Sequence, residues 1–148
     1  MIVRDILHLK GNAIFSIAST GRMSEAVRIM AANDIGSLVV MEGGKMAGML
    51  TFREVLKALD THQRDASDLR AGEMMVKEPV CGHPGDSLEH LREVMTRNHI
   101  RYLPVVDDEQ LLGVISFHDI AKAVIRETSF ENRLLKRYIE HSPEEPAK

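Results

Sequence analysis

The sequence lacks the residues on which several classes of protein depend. It contains one cysteine in 148 residues, which excludes an intramolecular disulfide and a cysteine-cluster metal site. Its net charge of −3 provides no general attraction to a phosphate backbone, so we expect no nucleic-acid partner. No apolar run is long enough to cross a membrane, and the first residues do not resemble a signal peptide. These absences predict a cytoplasmic protein that does not bind membranes.

Catalytic and metal-binding patterns are also missing. None of the seven histidines has the His-x-Glu or His-x-x-x-His spacing that would place two metal ligands on one face of a helix. No combination of serine, histidine and acidic residue stands out as a nucleophilic site. We therefore expect no catalytic residue, no metal, no required cofactor and no enzymatic activity.

The sequence does contain an internal repeat. The segment "GMLTFREVLKAL", which begins at Gly48, matches "GVISFHDIAKAV", which begins at Gly113. The offset of 65 residues also relates Glu54 to Asp119. The opening segments "VRDIL" and "AGEMM" align at an offset of 68, so the first copy carries three extra residues, most simply within "HLKGN". Because each half alone would bury little apolar surface, we expect the two copies to pack on each other.

Each copy predicts the same order of elements, β-α-β-β-α. Apolar residues recur at helical spacing in "MSEAVRIMAAND" and "LEHLREVMTRN", and two short strands joined by a hairpin follow each of these segments. The polar segment "DTHQRDASDLR" is predicted to connect the copies at the surface. The predicted fold class is α+β, with one unit at residues 1–62, a second at 63–126, and a C-terminal helix with a frayed tail at 127–148.

The two copies resemble a known family. The segments "NDIGSLVVMEGGKMAGMLTFREVLKAL" and "NHIRYLPVVDDEQLLGVISFHDIAKAV" are similar to a tandem pair of CBS domains, the cystathionine β-synthase module, also called a Bateman module. The resemblance covers residues 1 to about 126 and leaves no segment for a catalytic domain. It implies two units related by pseudo-twofold symmetry, which form two clefts for adenosine compounds.

The resemblance implies a nucleotide site built around the second copy of the motif. Asp119 would accept hydrogen bonds from the ribose hydroxyls, and Ser116 and His118 would reach the α-phosphate. Arg101 would neutralise phosphate charge. Adenine would lie among apolar backbone segments of both copies, which the resemblance places at Phe15, Ile35, Gly36, Val114 and Ile115.

The same resemblance implies a second, weaker cleft. It would be formed by Thr51, Glu54, Leu50, Val80 and Ile100. The first copy departs from the family pattern because Glu54 replaces the usual aspartate, and because Gly36 stands where the second copy has Arg101. The longer side chain and the missing cation predict that this cleft is weak or empty.

A purely structural interpretation stays open. Ser-x-x-Asp and Thr-x-x-Glu also describe the capping box that begins many helices in the absence of any ligand. The family resemblance favours a binding role for Asp119. For Thr51 and Glu54 it leaves the two interpretations balanced. The alternative to a sensor is a structural or protein-interaction module without a small-molecule ligand.

The residues after the second copy form an amphipathic helix. Its apolar side consists of Phe130, Leu134, Leu135, Tyr138 and Ile139. Because CBS pairs commonly dimerise, this stripe favours a homodimer. The predicted function is that of a regulatory sensor, which binds an adenine nucleotide and signals by conformational change to an unidentified protein partner. AMP is the simplest ligand, with ADP, ATP and S-adenosylmethionine left open.

Overall fold

The computed structural model describes residues 1–11 and 13–141. The α-helices are α1 (Val3–Lys10), α2 (Met23–Asn33), α3 (Phe52–His62), α4 (Ala71–Met74), α5 (Leu88–Arg97) and α6 (Phe117–His141). The strands are β1 (Ser16–Ala18), β2 (Ser37–Glu42), β3 (Lys45–Thr51), β4 (Val76–Lys77), β5 (Tyr102–Asp107) and β6 (Gln110–Ser116). A 3-10 helix, Gln63–Asp68, follows α3 and buries Ala66. Over these residues, no helix combines the length and apolar character that a membrane span requires.

The strands form two sheets that correspond to the two copies. In the first sheet the order is β1-β2-β3-β4, with β1 parallel to β2 and the other neighbours antiparallel. In the second copy β5 and β6 form an antiparallel pair. A parallel bridge between Gly82 and Val105 stands 65 residues after the parallel pair Ile17–Val40. Two β/α units are therefore present, and the predicted α+β class is confirmed.

The predicted order β-α-β-β-α places a strand at the start of the second copy, from Val80 onward, but this segment does not form a strand. Pro79 precedes it and Pro84 follows shortly, and proline has no backbone N–H with which to extend a ladder. Gly82 alone keeps the strand-like contact: its N–H donates to the Pro104 carbonyl at 2.9 Å, and its carbonyl accepts from the Val106 N–H at 2.9 Å.

The repeat extends to unusual backbone conformations. Asp34 and His99, which follow α2 and α5, both adopt the left-handed conformation, with φ of 50° and 53°. The two hairpins turn at equivalent positions, where Gly43 and Gly44 in the first copy correspond to Asp108 and Glu109 in the second. All four have positive φ. Glycine tolerates this region at no steric cost, whereas aspartate and glutamate do not, so the second hairpin is the more strained of the two.

The short helices that open each copy are exchanged between the units. Helix α1 contributes Val3, Ile6 and Leu7 to the core that contains α5, β5 and β6, whereas α4 contributes Ala71 to the core of the first copy. Antiparallel bridges between Ile2 and Ser87 and between Arg22 and Arg70 fix both exchanges. The packing therefore crosses the division at residue 62, which as a domain boundary stays a prediction from the sequence.

The exchange explains the glycine that begins each copy of the motif. A Cβ on Gly113 would lie 2.8 Å from the Leu7 Cδ2 of α1, and a Cβ on Gly48 would lie 2.8 Å from the Met75 sulfur and 2.5 Å from the Val76 carbonyl oxygen. These distances are too short for a real contact. At Gly48 a backbone atom of the segment after α4 is in the way, so glycine is needed there, whereas at Gly113 only the end of the Leu7 side chain would have to shift.

The last helix is longer than the sequence suggested. The last helix of the second unit and the predicted C-terminal helix are one continuous helix, α6, which is 25 residues long. No glycine or proline occurs between Phe117 and His141, so no residue in this range breaks the helix. The predicted frayed tail falls largely on residues 142–148, which lie outside the described residues.

Candidate nucleotide site

Two clefts lie between the units. The larger has a volume of about 1150 Å³ and is called the Asp119 cleft here; it is bounded by the ends of α1 and α5, by the segment before β2 and by the start of α6. The smaller, the Glu54 cleft, measures about 650 Å³ and lies beside the start of α3 and the segment from Val76 to Val80. Arg53 and the stretch from His99 to Tyr102 line both clefts.

A reciprocal capping box begins α6 at the Asp119 cleft. The Asp119 N–H donates to the Ser116 hydroxyl oxygen at 3.0 Å, and the Ser116 N–H donates to Asp119 Oδ2 at 2.8 Å. This is the geometry expected when two side chains satisfy the unpaired N–H groups of a helix N-terminus. The structural interpretation of the motif is thus correct as local geometry, but it leaves open what else the carboxylate does.

A lysine from the first copy reaches the same carboxylate. Lys10, the last residue of α1, donates from Nζ to Asp119 Oδ2 at 2.6 Å and to the Val114 carbonyl at 2.7 Å. Sequence reasoning missed this residue. One signal was available: Lys10 lies in "HLKGN", the segment that carries the three extra residues of the first copy. Only the exchange of α1 brings it to the second copy.

Asp119 is charged and partly shielded from solvent. Its side chain is 17% exposed. Burial pushes the pKa of the carboxyl upward, but hydrogen bonds from Lys10 and Ser116 outweigh that effect, so the pKa lies below its usual value. Within the described residues, no donor reaches the second oxygen, Oδ1. The carboxylate therefore has one oxygen held by the protein and one left to accept a hydrogen bond from a ligand.

Glu54 is held differently at the equivalent position. Its Oε1 accepts from both the backbone N–H and the hydroxyl of Thr51, each at 2.8 Å. The Thr51 hydroxyl in turn accepts from the Arg53 N–H at 3.2 Å. Glu54 is 4% exposed, and none of the ion pairs among the described residues includes it. Its carboxylate completes the cap of α3 and is almost closed to solvent.

The structure brings most of the predicted residues together. The Asp119 cleft is lined by Ser116, His118, Arg101, Val114, Phe15, Ile35 and Gly36, and the Glu54 cleft by Thr51, Glu54, Val80 and Ile100. Three predicted residues are not among the lining residues. Asp119 lies beside the first cleft, which is lined by its bonding partners Lys10 and Ser116. The side chains of Ile115 and Leu50 are fully buried in the two cores, because alternate residues of a strand point to opposite faces. The binding roles of all these residues stay predictions.

The profile of the CBS domain family matches residues 3–61 and 71–126, which correspond to the two copies of the repeat. The chain belongs to the CBS domain family. It is similar to the protein YhcV of Bacillus subtilis, with 32% identity over 73% of this chain and 76% of the relative. It is also similar to the mitochondrial CBS domain-containing protein CBSX3 of Arabidopsis thaliana, with 30% identity over 78% of this chain, and there it spans 59% of the relative's length.

Solved CBS-pair structures superpose on the chain. The CBS protein ATU1752 of Agrobacterium tumefaciens aligns with a TM-score of 0.80 and 28% identity, covering 83% of this chain and 98% of that one. The CBS pair of protein MJ0100, solved in complex with 5′-methylthioadenosine and S-adenosyl-L-methionine, aligns with a TM-score of 0.74 and 25% identity, covering 84% and 99% of the two chains. The predicted resemblance is confirmed by these similarities.

The two clefts of this CBS pair differ in charge. The Asp119 cleft is lined by three cationic side chains and one acidic side chain, which are Lys10, Arg53, Arg101 and Asp34. The Glu54 cleft is lined by three cationic and three acidic side chains, which are Arg53, Lys57, Arg101, Glu54, Asp60 and Glu78. Asp119, which is paired with the lining residue Lys10, adds a second negative charge to the first cleft. Three cationic against two acidic groups still leave the first cleft more positive than the second, so an anionic ligand is attracted more strongly to the first.

Packing explains the glycine that replaces a cation in the first CBS unit. A Cβ on Gly36 would lie 2.0 Å from the Tyr102 hydroxyl and 2.4 Å from the Phe52 ring. No side chain fits there. Both positions keep the same backbone contact, in which the Phe52 N–H donates to the Gly36 carbonyl at 3.2 Å and the Phe117 N–H donates to the Arg101 carbonyl at 2.7 Å. The loss of the cation is thus imposed by the aromatic rings of the interface.

Proposed function

We propose that this CBS pair is a non-enzymatic sensor that binds an adenine nucleotide, AMP most simply, in the Asp119 cleft. One observation carries the proposal: Asp119 holds a charged carboxylate with an oxygen that no protein donor among the described residues reaches, and it is paired with Lys10 beside a cleft whose charged lining residues are mainly cationic. A ribose supplies hydroxyl donors for that oxygen, and a phosphate supplies the negative charge that the cations attract.

The remaining predicted residues have places in this proposal. Ser116 and His118 lie at the N-terminus of α6, where a phosphate is favoured by the helix dipole, and Arg101 stands nearby in the same cleft. Phe15 and Ile35 provide exposed or partly exposed apolar surface for adenine. The two adenosine compounds bound to the CBS pair of MJ0100 support an adenosine compound as the ligand of this chain too.

Signalling would follow from the position of the ligand between the units. A ligand that contacts both units shifts their relative arrangement by the difference in its affinity for the two arrangements. A protein partner would detect that shift. The Glu54 cleft contributes little to nucleotide binding in this proposal, because its carboxylate is closed and its charges cancel. The cytoplasmic location likewise stays a prediction from the sequence.

A panel of ligands tests the proposal. We expect AMP, ADP, ATP or S-adenosylmethionine, at a hundredfold excess over its dissociation constant, to stabilise the folded protein by about 2.7 kcal/mol, measured as a thermal shift. Guanosine monophosphate should produce a much smaller shift, and Asp119→Ala should reduce the shift produced by every adenosine ligand at the same concentration, because it weakens their binding. The panel ranks the ligands, which the residues alone do not distinguish.

The completed capping boxes support a second candidate function, a structural module without a small-molecule ligand. In that case no adenosine compound shifts the melting temperature. Asp119→Ala then destabilises the protein by about 1 kcal/mol, the usual effect of removing a helix cap, and has no other consequence.

Assembly is the second part of the proposal. The exposed stripe Phe130, Leu134, Leu135, Tyr138 and Ile139 continues α6 beyond the second CBS unit. If two copies pair these helices antiparallel about Leu134, Phe130 of each faces Tyr138 of the other, and Glu131 faces Arg137. The stripe is thus complementary to itself in shape and charge, which supports a homodimer.

Sedimentation velocity tests the dimer. We expect the wild type to sediment as a dimer and Leu134→Glu as a monomer, because the substitution places a charge at the centre of the apolar contact. Lys136→Glu, on the opposite side of α6, is the matched control and should remain dimeric. A dimer that survives Leu134→Glu would mean that this stripe is not the interface.

A further inference from the structure

We propose that Lys10 is an internal competitor of the nucleotide, and that once displaced it favours phosphorylated adenosine over adenosine itself. The inference rests on the proposed function, since it concerns the same cleft. It adds a specificity-determining residue that neither the repeat nor the family resemblance indicated.

The first step is the set of acceptors that Lys10 occupies. One ammonium group donates both to Asp119 Oδ2, on the side proposed for ribose, and to the Val114 carbonyl, on the side proposed for adenine. A nucleoside carries donors of its own, in the ribose hydroxyls and the exocyclic amine of adenine. One ribose hydroxyl can donate to the free Oδ1, but the second hydroxyl and the exocyclic amine meet Oδ2 and the Val114 carbonyl, which Lys10 already holds. A ligand that uses all three acceptors must therefore move the ammonium group.

The second step is the anchoring of Lys10. The backbone of α1 is fixed by Val3, Ile6 and Leu7 in the core of the second unit. The Lys10 side chain itself is 35% exposed and lines the cleft. A lysine has a flexible four-carbon stem. Its displaced ammonium group consequently stays within the cleft, where an anionic group of the ligand can reach it.

The third step is the balance of charge for the two kinds of ligand. When adenosine enters, the Lys10 ammonium loses a carboxylate partner in a partly buried site and gains none, which opposes binding. When AMP enters, the phosphate provides a new anionic partner for the same ammonium group. Lys10 therefore weakens the binding of the uncharged nucleoside and restores the binding of its phosphorylated form.

Among the described residues, no lysine pairs with Glu54, whose hydrogen-bond donors all belong to its own cap residue, Thr51. Helix α4 is the equivalent of α1 in the second copy, and the segment after α4 contributes the acidic Glu78 to the lining of the Glu54 cleft. The competition is thus specific to the cleft that we propose to bind nucleotide.

Calorimetric titration of adenosine and AMP separates the two roles of Lys10. The wild type should bind AMP more tightly than adenosine. In Lys10→Met adenosine should bind more tightly than in the wild type, and the preference for AMP should fall about tenfold, as for one charge-assisted hydrogen bond. Lys10→Arg should keep the preference. Lys122→Met, which removes an exposed lysine from α6, is the matched control and should behave as the wild type.

The outcomes distinguish this inference from the proposed function. Tighter adenosine binding in Lys10→Met is a gain, and partial unfolding of the variant does not produce it. If the wild type binds AMP and the preference is unchanged in Lys10→Met, the inference is wrong and the proposed function stands. If the folded wild type binds neither ligand, both are wrong.

Discussion

Asp119 and Glu54 stand 65 residues apart at the first turn of equivalent helices, but their carboxylates have different partners. Asp119 bonds to the backbone of Ser116 and to Lys10, which comes from the other copy of the repeat. Within the part of the chain that the structure describes, the side-chain bonds of Glu54 are all to Thr51, three residues before it. The difference teaches that the repeat reproduces the backbone and the helix caps, whereas the chemistry of each cleft depends on residues that the repeat does not share.

The largest expected effect of the difference is on nucleotide affinity. Asp119→Ala should weaken AMP binding on the order of 10- to 100-fold, because it removes a charged acceptor of the ribose hydroxyls. Glu54→Ala, the matched substitution in the other unit, should leave the affinity within about threefold of the wild type. Isothermal titration calorimetry measures both, and equal losses in the two variants would remove the asymmetry between the clefts.

The next effect is on stability, and it concerns the equivalent positions Gly36 and Arg101 of the two units. Gly36→Ala should destabilise the protein by about 1–3 kcal/mol, the range for overpacking, because its Cβ meets the Tyr102 hydroxyl and the Phe52 ring. Arg101→Ala, at the equivalent exposed position, should change stability by less than about 0.5 kcal/mol. Urea unfolding gives both values. A harmless Gly36→Ala would show that the rings move aside and that packing does not explain the missing cation.

A smaller effect is expected from the ion pair at the Asp119 cleft. Lys10→Met should cost about 1 kcal/mol of stability at neutral pH, an intermediate value for a pair that is partly exposed. The pKa of Asp119 is lowered on folding, so the stabilisation is present above the usual pKa of an unfolded aspartate, about 3.9. It disappears as the pH falls through the lower pKa of the folded state.

Urea unfolding of the wild type and Lys10→Met between neutral and strongly acidic pH measures this dependence. The difference between the two proteins should be greatest at neutral pH and vanish in acid. A difference that is the same at every pH would mean that the Lys10 side chain stabilises the fold by packing, and not through the charge of Asp119.

The smallest effect is expected at the hairpins. Glu109→Gly gives the second hairpin the glycine that the first has at Gly44, and both positions have positive φ, 62° and 77°. The substitution should stabilise the protein by about 0.5 kcal/mol, because relief of backbone strain exceeds the entropy that glycine adds to the unfolded chain. Thermal unfolding measures the change. Destabilisation would indicate that the Glu109 side chain makes a contribution of its own.

The helices, caps and strand pairs could be predicted from the sequence because each of them is determined by residues close together in the chain. The apolar periodicity of α2 and α5 and the caps at Thr51 and Ser116 are set by residues close together in the chain. These features were predicted and are present. The strand pairs were predicted for the same reason, from short apolar runs on either side of a turn.

The exchange of α1 and α4 could not be predicted in the same way. It depends on contacts between residues far apart in the chain. These are about 80–110 positions apart for α1, such as Leu7 with Gly113 and Lys10 with Asp119, and 48 positions apart for the bridge between Arg22 and Arg70 beside α4. The role of Lys10 follows from that exchange, which is why no local pattern indicated it. The burial of the Leu50 and Ile115 side chains has a simpler origin: the motif includes consecutive residues of a strand, whose side chains point alternately to opposite faces.

The stoichiometry of AMP binding tests the asymmetry of the two clefts most directly. Calorimetric titration of the wild-type chain with AMP should give one molecule bound per chain, and Asp119→Ala should weaken that binding at least about tenfold while Glu54→Ala keeps it. Two equivalent molecules per chain would contradict the account, because both clefts would then bind nucleotide despite their differences. One molecule bound with unchanged affinity in Asp119→Ala would contradict it as well, because the site would then not depend on Asp119.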